Sequence, residues 1–173
     1  PNMKMVMGGL ANTNVDYIKA MKFWSDVNRG GSIPFDVINV HHYSNVTVSG
    51  VTVGISPEDD HLKDQLKSLV DYRDQYMHDQ EVWLTEFGYD THPASVQRAP
   101  AIAPKSQQDV QADWLVRSYL AAAAAGLDRA YAYYLTDVNS SDSTKYRSSG
   151  LIGQRGDWTP KVSWYYVYTL RNT

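Results

Sequence analysis

Four times along the chain, a short apolar run is followed by a stretch with helical spacing, and this alternation restricts the fold more than any other feature. Lys4–Leu10 (KMVMGGL) reads as a short buried strand that ends in glycines. Val15–Val27 places Ile18, Met21 and Trp24 at helical spacing, and Asn28-Arg29-Gly30-Gly31 stops it. Phe35–Tyr43 (FDVINVHHY) is rich in β-branched residues and reads as a second strand. Ser56-Pro57-Glu58-Asp59 has the form of a helix start, and Leu62, Leu66, Leu69 and Val70 predict a helical face running to about Met77. Glu81–Phe87 predicts the third strand. Ser106 with Asp109 predicts a capped helix closed by Gly126, and Arg129–Thr136 predicts the fourth strand. A last helix is expected over Ser163–Leu170.

Strands and helices that alternate in this way form parallel sheets with crossover helices. The strand starts lie roughly 30 to 50 residues apart, so eight units would need about 350 residues, within the range of a closed (β/α)8 barrel. Four units make half of one. A four-stranded open sheet is the other solution. Gly8-Gly9-Leu10-Ala11 has neither the GxGxxG spacing nor a Walker lysine, so the nucleotide-binding form of an open sheet lacks its signature.

Composition removes several classes of function. Lys and Arg number 16 against 19 Asp and Glu, a net charge of −3 without a basic run, which gives no electrostatic reason to expect nucleic acid. No apolar stretch reaches the roughly 20 residues of a membrane span. The chain has no cysteine, hence no disulfide, thiolate metal site or Cys nucleophile. Its 13 Tyr and 5 Trp suit a carbohydrate-binding surface. The chain begins at Pro1 and shows no charged-then-apolar leader, so it is expected to be a piece of a longer protein.

In parallel α/β proteins, chemistry collects at the carboxyl ends of the strands. The third strand ends in Leu84-Thr85-Glu86-Phe87-Gly88, and a Glu at the tip of an apolar strand is expensive unless paired or working. Strict alternation puts Val82, Leu84 and Glu86 on one face; a solvated acid or a structural ion pair is the alternative for Glu86. The second strand ends in His41-His42-Tyr43, where His41 and Tyr43 share a face and His42 points away, so no zinc pair forms there. On the fourth strand Ala132, Tyr134 and Thr136 share a face, which sets Tyr134 against either a cleft or the core. Asp90 and His92 follow Glu86 in a loop, where they are placed to touch substrate, although loop acids are usually just solvated. Trp158 reads as a loop anchor. Asn45-Val46-Thr47 and Asn139-Ser140-Ser141 match the glycosylation pattern, which short sequences meet by chance.

Taken in order, these strand ends resemble the C-terminal half of a clan A glycoside hydrolase, the (β/α)8 group that includes families 5 and 39. VWLTEFGYDT at Val82–Thr91 is similar to that clan's strand seven, FDVINVHHYS at Phe35–Ser44 to its strand six, and Ala112–Asp137 to the helix and strand eight of family 39-like members. Gly150–Tyr166, with Thr159-Pro160-Lys161, is similar to the turn and last helix that close the barrel. The resemblance implies that residues 1–173 form the C-terminal half of one catalytic domain, strands five to eight. It implies a retaining hydrolase of β-linked glycosides with Glu86 as catalytic nucleophile and His41, Tyr43 and Tyr134 as substrate-binding residues. Tyr43 would also hold Glu86 ionised and aimed. The clan's strand-eight tryptophan falls at Ala132, which leaves the floor of the sugar site without its usual ring. The clan's acid/base Glu lies upstream of this chain, for Glu58 opens a helix and Glu81 is at the wrong end of its strand.

No cofactor or metal is called for. The expected partners are a carbohydrate substrate and either the missing N-terminal half or a second chain, with no nucleic acid or membrane; the expected location is secreted or periplasmic. Two other classes compete. One is a catalytically silent carbohydrate-binding or scaffold module on the same half-barrel. The other is an unrelated barrel enzyme, which would need a Schiff-base Lys on a strand or a His/Asp metal cluster.

Overall fold

The computed structural model describes residues 3–173. Helix α1 (Val15–Arg29) starts at Asn14, whose side chain accepts the Asp16 N–H, and ends at Gly30 in the left-handed region. Strand β1 (Val37–His41) leads into an antiparallel hairpin, β2 (Asn45–Val48) and β3 (Val51–Gly54). Helix α2 (Leu62–Tyr76) and strand β4 (Glu81–Glu86) follow. Then come helix α3 (Gln107–Ala125), the short strand β5 (Arg129–Ala130) and helix α4 (Val162–Asn172). The main sheet is parallel, in the order β1-β4-β5.

The four-strand expectation is met in part, for only the inner strands are regular. The segment expected as the first strand bridges β1 at Val6–Val37 and Leu10–Val40, with hydrogen bonds from Met7 N to Val37 O and from His41 N to Leu10 O. Between them Gly9 lies beneath the His41 ring, where a Cβ would stand 2.1 Å from Nε2. The backbone yields there to the histidine, and regular pairing is interrupted. The expected fourth strand is a regular ladder only at Arg129–Ala130, although Tyr131 N and Tyr133 N still donate to Leu84 O and Phe87 O.

Those last two bonds advance two residues on one strand against three on the other. On the opposite side Val40 pairs with Leu84 while the next residue, His41, pairs with Glu86. Both neighbours therefore register one extra residue in β4 near Thr85, a β-bulge. Below it Val82 and Leu84 are fully buried with Ile38 and Val40 against Leu66 and Leu69 of α2 and Leu115 of α3. Trp83 and Thr85 lie on the other face, where the Thr85 hydroxyl donates to Asn39 Oδ1 at 2.6 Å. The expected shared face of Val82, Leu84 and Glu86 is thus corrected. The bulge interrupts alternation and turns Glu86 away from the helix layer.

All the helices pack on one side of the sheet, with contacts from α1 to α2, α2 to α3 and α3 to α4. Its other face carries Trp83, Tyr131 and Tyr133, the two tyrosines 43% and 36% exposed. Helix α3 starts at Ser106 with the expected capping box to Asp109 and ends at Gly126, φ +88°. Helix α2 begins later than expected. Ser56 and Pro57 close a separate turn, in which Ser56 Oγ accepts the Asp59 N–H, and His61 at φ +54° separates that turn from the helix.

The β2–β3 hairpin was not anticipated. Its signal is a Val/Thr alternation around Ser49-Gly50, and both turn residues adopt positive φ, as two-residue hairpin turns require.

Candidate active site at the carboxyl edge of the sheet

Glu86 occupies the last position of β4, one strand over from His41, its register partner at the end of β1. The Tyr43 hydroxyl donates to Glu86 Oε2 at 3.0 Å, and His41 Nδ1 stands 3.6 Å from Oε1. The second distance is beyond a hydrogen bond but within ion-pair range for a protonated ring. The Glu86 side chain is 30% exposed, so its carboxylate is open to an incoming molecule. Burial and the adjacent Glu86 carboxylate push the Tyr43 phenol well above its ordinary value, so Tyr43 stays a proton donor.

His42 turns to the helix side as alternation predicts. Its Nε2 lies 2.5 Å from Asp60 Oδ2 in the turn before α2. Burial alone would raise the Asp60 carboxyl; hydrogen bonds from His42, Ser44 and Gln65 outweigh it and hold the group below its ordinary value.

An aromatic wall flanks Tyr43. The Tyr146 ring packs on it with centroids 4.8 Å apart, and Tyr133 meets Tyr146 edge-on at 6.0 Å. Tyr134 packs on Tyr133 at 4.3 Å, one ring removed from the Tyr43–Tyr146 pair. Ala132 packs into the helix-side core, and its N–H donates to the Tyr119 hydroxyl. The ring beside the site at the end of β5 is therefore Tyr133, and Ala132 is not the floor position. Tyr146 carried no sequence signal, as a lone aromatic in a polar loop.

The loops behind this wall are joined by buried charges. Asp90, expected to be solvated, is 0% exposed and accepts from Ser95 Oγ at 2.6 Å, Tyr146 N at 2.9 Å and Ser148 N at 3.1 Å. Lys161 Nζ donates to Asp137 Oδ1 at 2.8 Å, Ser148 O at 2.9 Å and Thr91 Oγ1 at 3.1 Å. Burial pushes the Lys161 ammonium below its ordinary value, with Asp137 pulling the other way. His92 stays at the rim, its N–H on Ser148 Oγ. Trp158 is 58% exposed and does not anchor its loop.

The other glutamates take no part in this mouth. Glu58 pairs with Arg117, and Glu81 pairs with Lys4 at the far end of β4. No cluster of His, Asp and Glu able to hold a metal occurs among the described residues.

No protein-family model matches this chain, and no curated protein matches it. Solved structures do. A β-glucuronidase from Faecalibacterium prausnitzii superposes with a TM-score of 0.56 at 13% identity, over 96% of this chain and 31% of its own. A family 2 β-galacturonidase from Eisenbergiella tayi, bound to galacturonate, gives 0.53 at 15% identity, over 98% and 33%. A Ruminococcus gnavus β-glucuronidase gives 0.53 at 15% identity, over 86% and 25%. The chain thus spans a quarter to a third of the length of these three proteins. At such identities the likeness is one of fold, and the fold of this chain is a mixed α/β, glycosidase-like one.

Proposed function

We propose that this chain is the C-terminal half of a (β/α)8 domain, strands five to eight, and that the intact domain is a retaining hydrolase of β-linked glycosides with Glu86 as nucleophile. The observation that carries the reading is the Tyr43–Glu86 hydrogen bond of 3.0 Å, set at the carboxyl edge of a parallel sheet. A phenol that donates to the carboxylate fixes its direction, as attack on an anomeric carbon requires. His41 and Tyr134 are assigned to binding sugar hydroxyls.

A retaining mechanism needs a second carboxyl about 5–5.5 Å from the first, to protonate the leaving oxygen and then to activate water. Glu58 and Glu81 are held elsewhere in ion pairs, so that acid must come from the missing half. The helix-free face supports the same assignment. Parallel sheets are normally covered on both faces, whereas here Tyr131 and Tyr133 are exposed on the helix-free one.

The test is made on the intact protein with an aryl β-glycoside. Glu86→Gln should abolish turnover, azide should partly rescue Glu86→Gly, and a 2-fluoro glycoside should label the peptide that contains Glu86. Near wild-type turnover in Glu86→Gln would overturn the assignment. Sugar binding without hydrolysis by the unaltered protein would favour the silent binding module instead. Residues 1–173 expressed alone should neither hydrolyse the glycoside nor behave as a cooperatively folding monomer.

A further inference from the structure

We propose that Asp90 is a positioning residue for this site, which holds the Tyr43 hydroxyl on Glu86 through the backbone of Tyr146. The proposal rests on the reading of Glu86 as the attacking carboxylate. Asp90 touches neither Glu86 nor Tyr43; it acts through the loop that follows β5.

Tyr43 lies beyond the end of β1, and the last backbone bond of that strand is from His42 N to Glu86 O at 2.9 Å. Past that point Asn45 Nδ2 donates to Tyr43 O at 2.9 Å and Ile55 N to Ser44 O at 3.1 Å, bonds that hold the backbone but do not set the direction of the ring. What flanks it is Tyr146, at 4.8 Å between centroids. Tyr146 in turn has φ +72°, a left-handed conformation that a bulky side chain rarely keeps unless its surroundings impose it. Its own N–H and that of Ser148 both end on the Asp90 carboxylate. Hydrogen bonds to a buried carboxylate are among the strongest a loop can make. The Asp90 charge thus fixes the unusual turn, the turn aims the Tyr146 ring, and the ring confines Tyr43.

A purely structural Asp90 would clip two loops together without affecting the carboxylate. The two roles separate in the intact protein. Asp90→Asn should lower kcat about tenfold with KM changed less than twofold, since a misaimed group costs rate rather than binding. Combined with Tyr43→Phe it should lower kcat no further than Tyr43→Phe alone. Ser95→Ala removes a donor to the same carboxylate but leaves Tyr146 held, so kcat should stay at the wild-type value. If Asp90→Asn fails to fold, Tyr146→Gly serves. It tolerates the positive φ, keeps the N–H on Asp90 and removes only the ring, and it should show the same loss and the same non-additivity.

The ¹⁹F resonance of 3-fluorotyrosine at position 43 reads the placement of the ring without catalysis. It should move in Asp90→Asn and Tyr146→Gly, and stay in Ser95→Ala. Additive losses of kcat, or a resonance unmoved in whichever of these two variants folds, would overturn the proposal. A Glu86→Gln protein that keeps its turnover would overturn the reading of the site instead, and the fluorine comparison would still decide the role of Asp90.

Discussion

The Tyr43 hydroxyl reaches Glu86 Oε2 at 3.0 Å from the neighbouring strand, although β1 and β4 are out of step by one residue where they meet. The extra residue in β4 is what makes the contact possible. Without it Glu86 would follow Leu84 into the helix layer, and the carboxylate would be buried among leucines.

Removing the phenol isolates the value of that contact. Tyr43→Phe keeps the ring against Tyr146 and deletes one donor to a carboxylate, a bond worth about 1.5–3 kcal/mol. In the intact protein kcat on an aryl β-glycoside should fall roughly 10- to 100-fold, with the thermal midpoint nearly unchanged. A variant with wild-type kcat would show that the bond does not act on the reacting group.

His41 depends on the absence of a side chain below it. A Cβ at Gly9 would fall 2.1 Å from His41 Nε2, so Gly9→Ala must displace the ring, which is a side-chain end rather than backbone. Stability should change little. The rate should drop about tenfold if His41 aids the site from where it stands. Melting curves and kcat/KM measured together decide it: a large stability loss without a rate loss would assign His41 a packing role.

Asp60 gives a pH-dependent prediction. Its folded carboxyl sits below the ordinary value, so the folded state binds the proton less tightly than the unfolded chain does. The stabilisation is complete above the unfolded value, about pH 4, and is lost as pH falls through the lower folded value. Asp60→Asn should therefore lower stability near neutral pH, and the gap to wild type should close in acid. Denaturant unfolding at several pH values measures it; a gap that widened in acid would contradict the sign.

How far the site is legible depends on the range of the interactions that set it. On β1 alternation holds, so the common face of His41 and Tyr43 and the opposite orientation of His42 follow from spacing two apart. On β4 the same rule fails at Thr85, because a bulge is placed by pairing with both neighbours, Val37–His41 and Arg129–Tyr133, and not by the local run. Ala132 and Tyr133 exchange roles for a related reason, since inner and outer faces on that short strand are assigned only once β5 docks on Leu84. The hairpin was not anticipated, although its signal, the Val/Thr alternation around Ser49-Gly50, is local. Asp90 and Tyr146 were not legible, because a contact across 56 residues between two polar loops leaves no periodic trace.

The last prediction concerns the charge that closes the loop cluster from behind. Lys161 and Asp137 are both buried and pair at 2.8 Å, and Asp137 Oδ1 also accepts the Gly150 N–H. Removing one member of a buried pair leaves the other uncompensated, which costs about 3–5 kcal/mol, whereas replacing both with neutral residues costs much less. Lys161→Met should therefore be the more destabilising single change, with Asp137→Asn second because it keeps an acceptor for Gly150 and Lys161. The double variant should recover a large part of the Lys161→Met loss. Chemical denaturation of the four proteins in a double-mutant cycle measures this coupling. If the two losses simply add, the pair carries no mutual stabilisation, and the loops are held by the Asp90 hydrogen bonds and the Ser148 backbone instead.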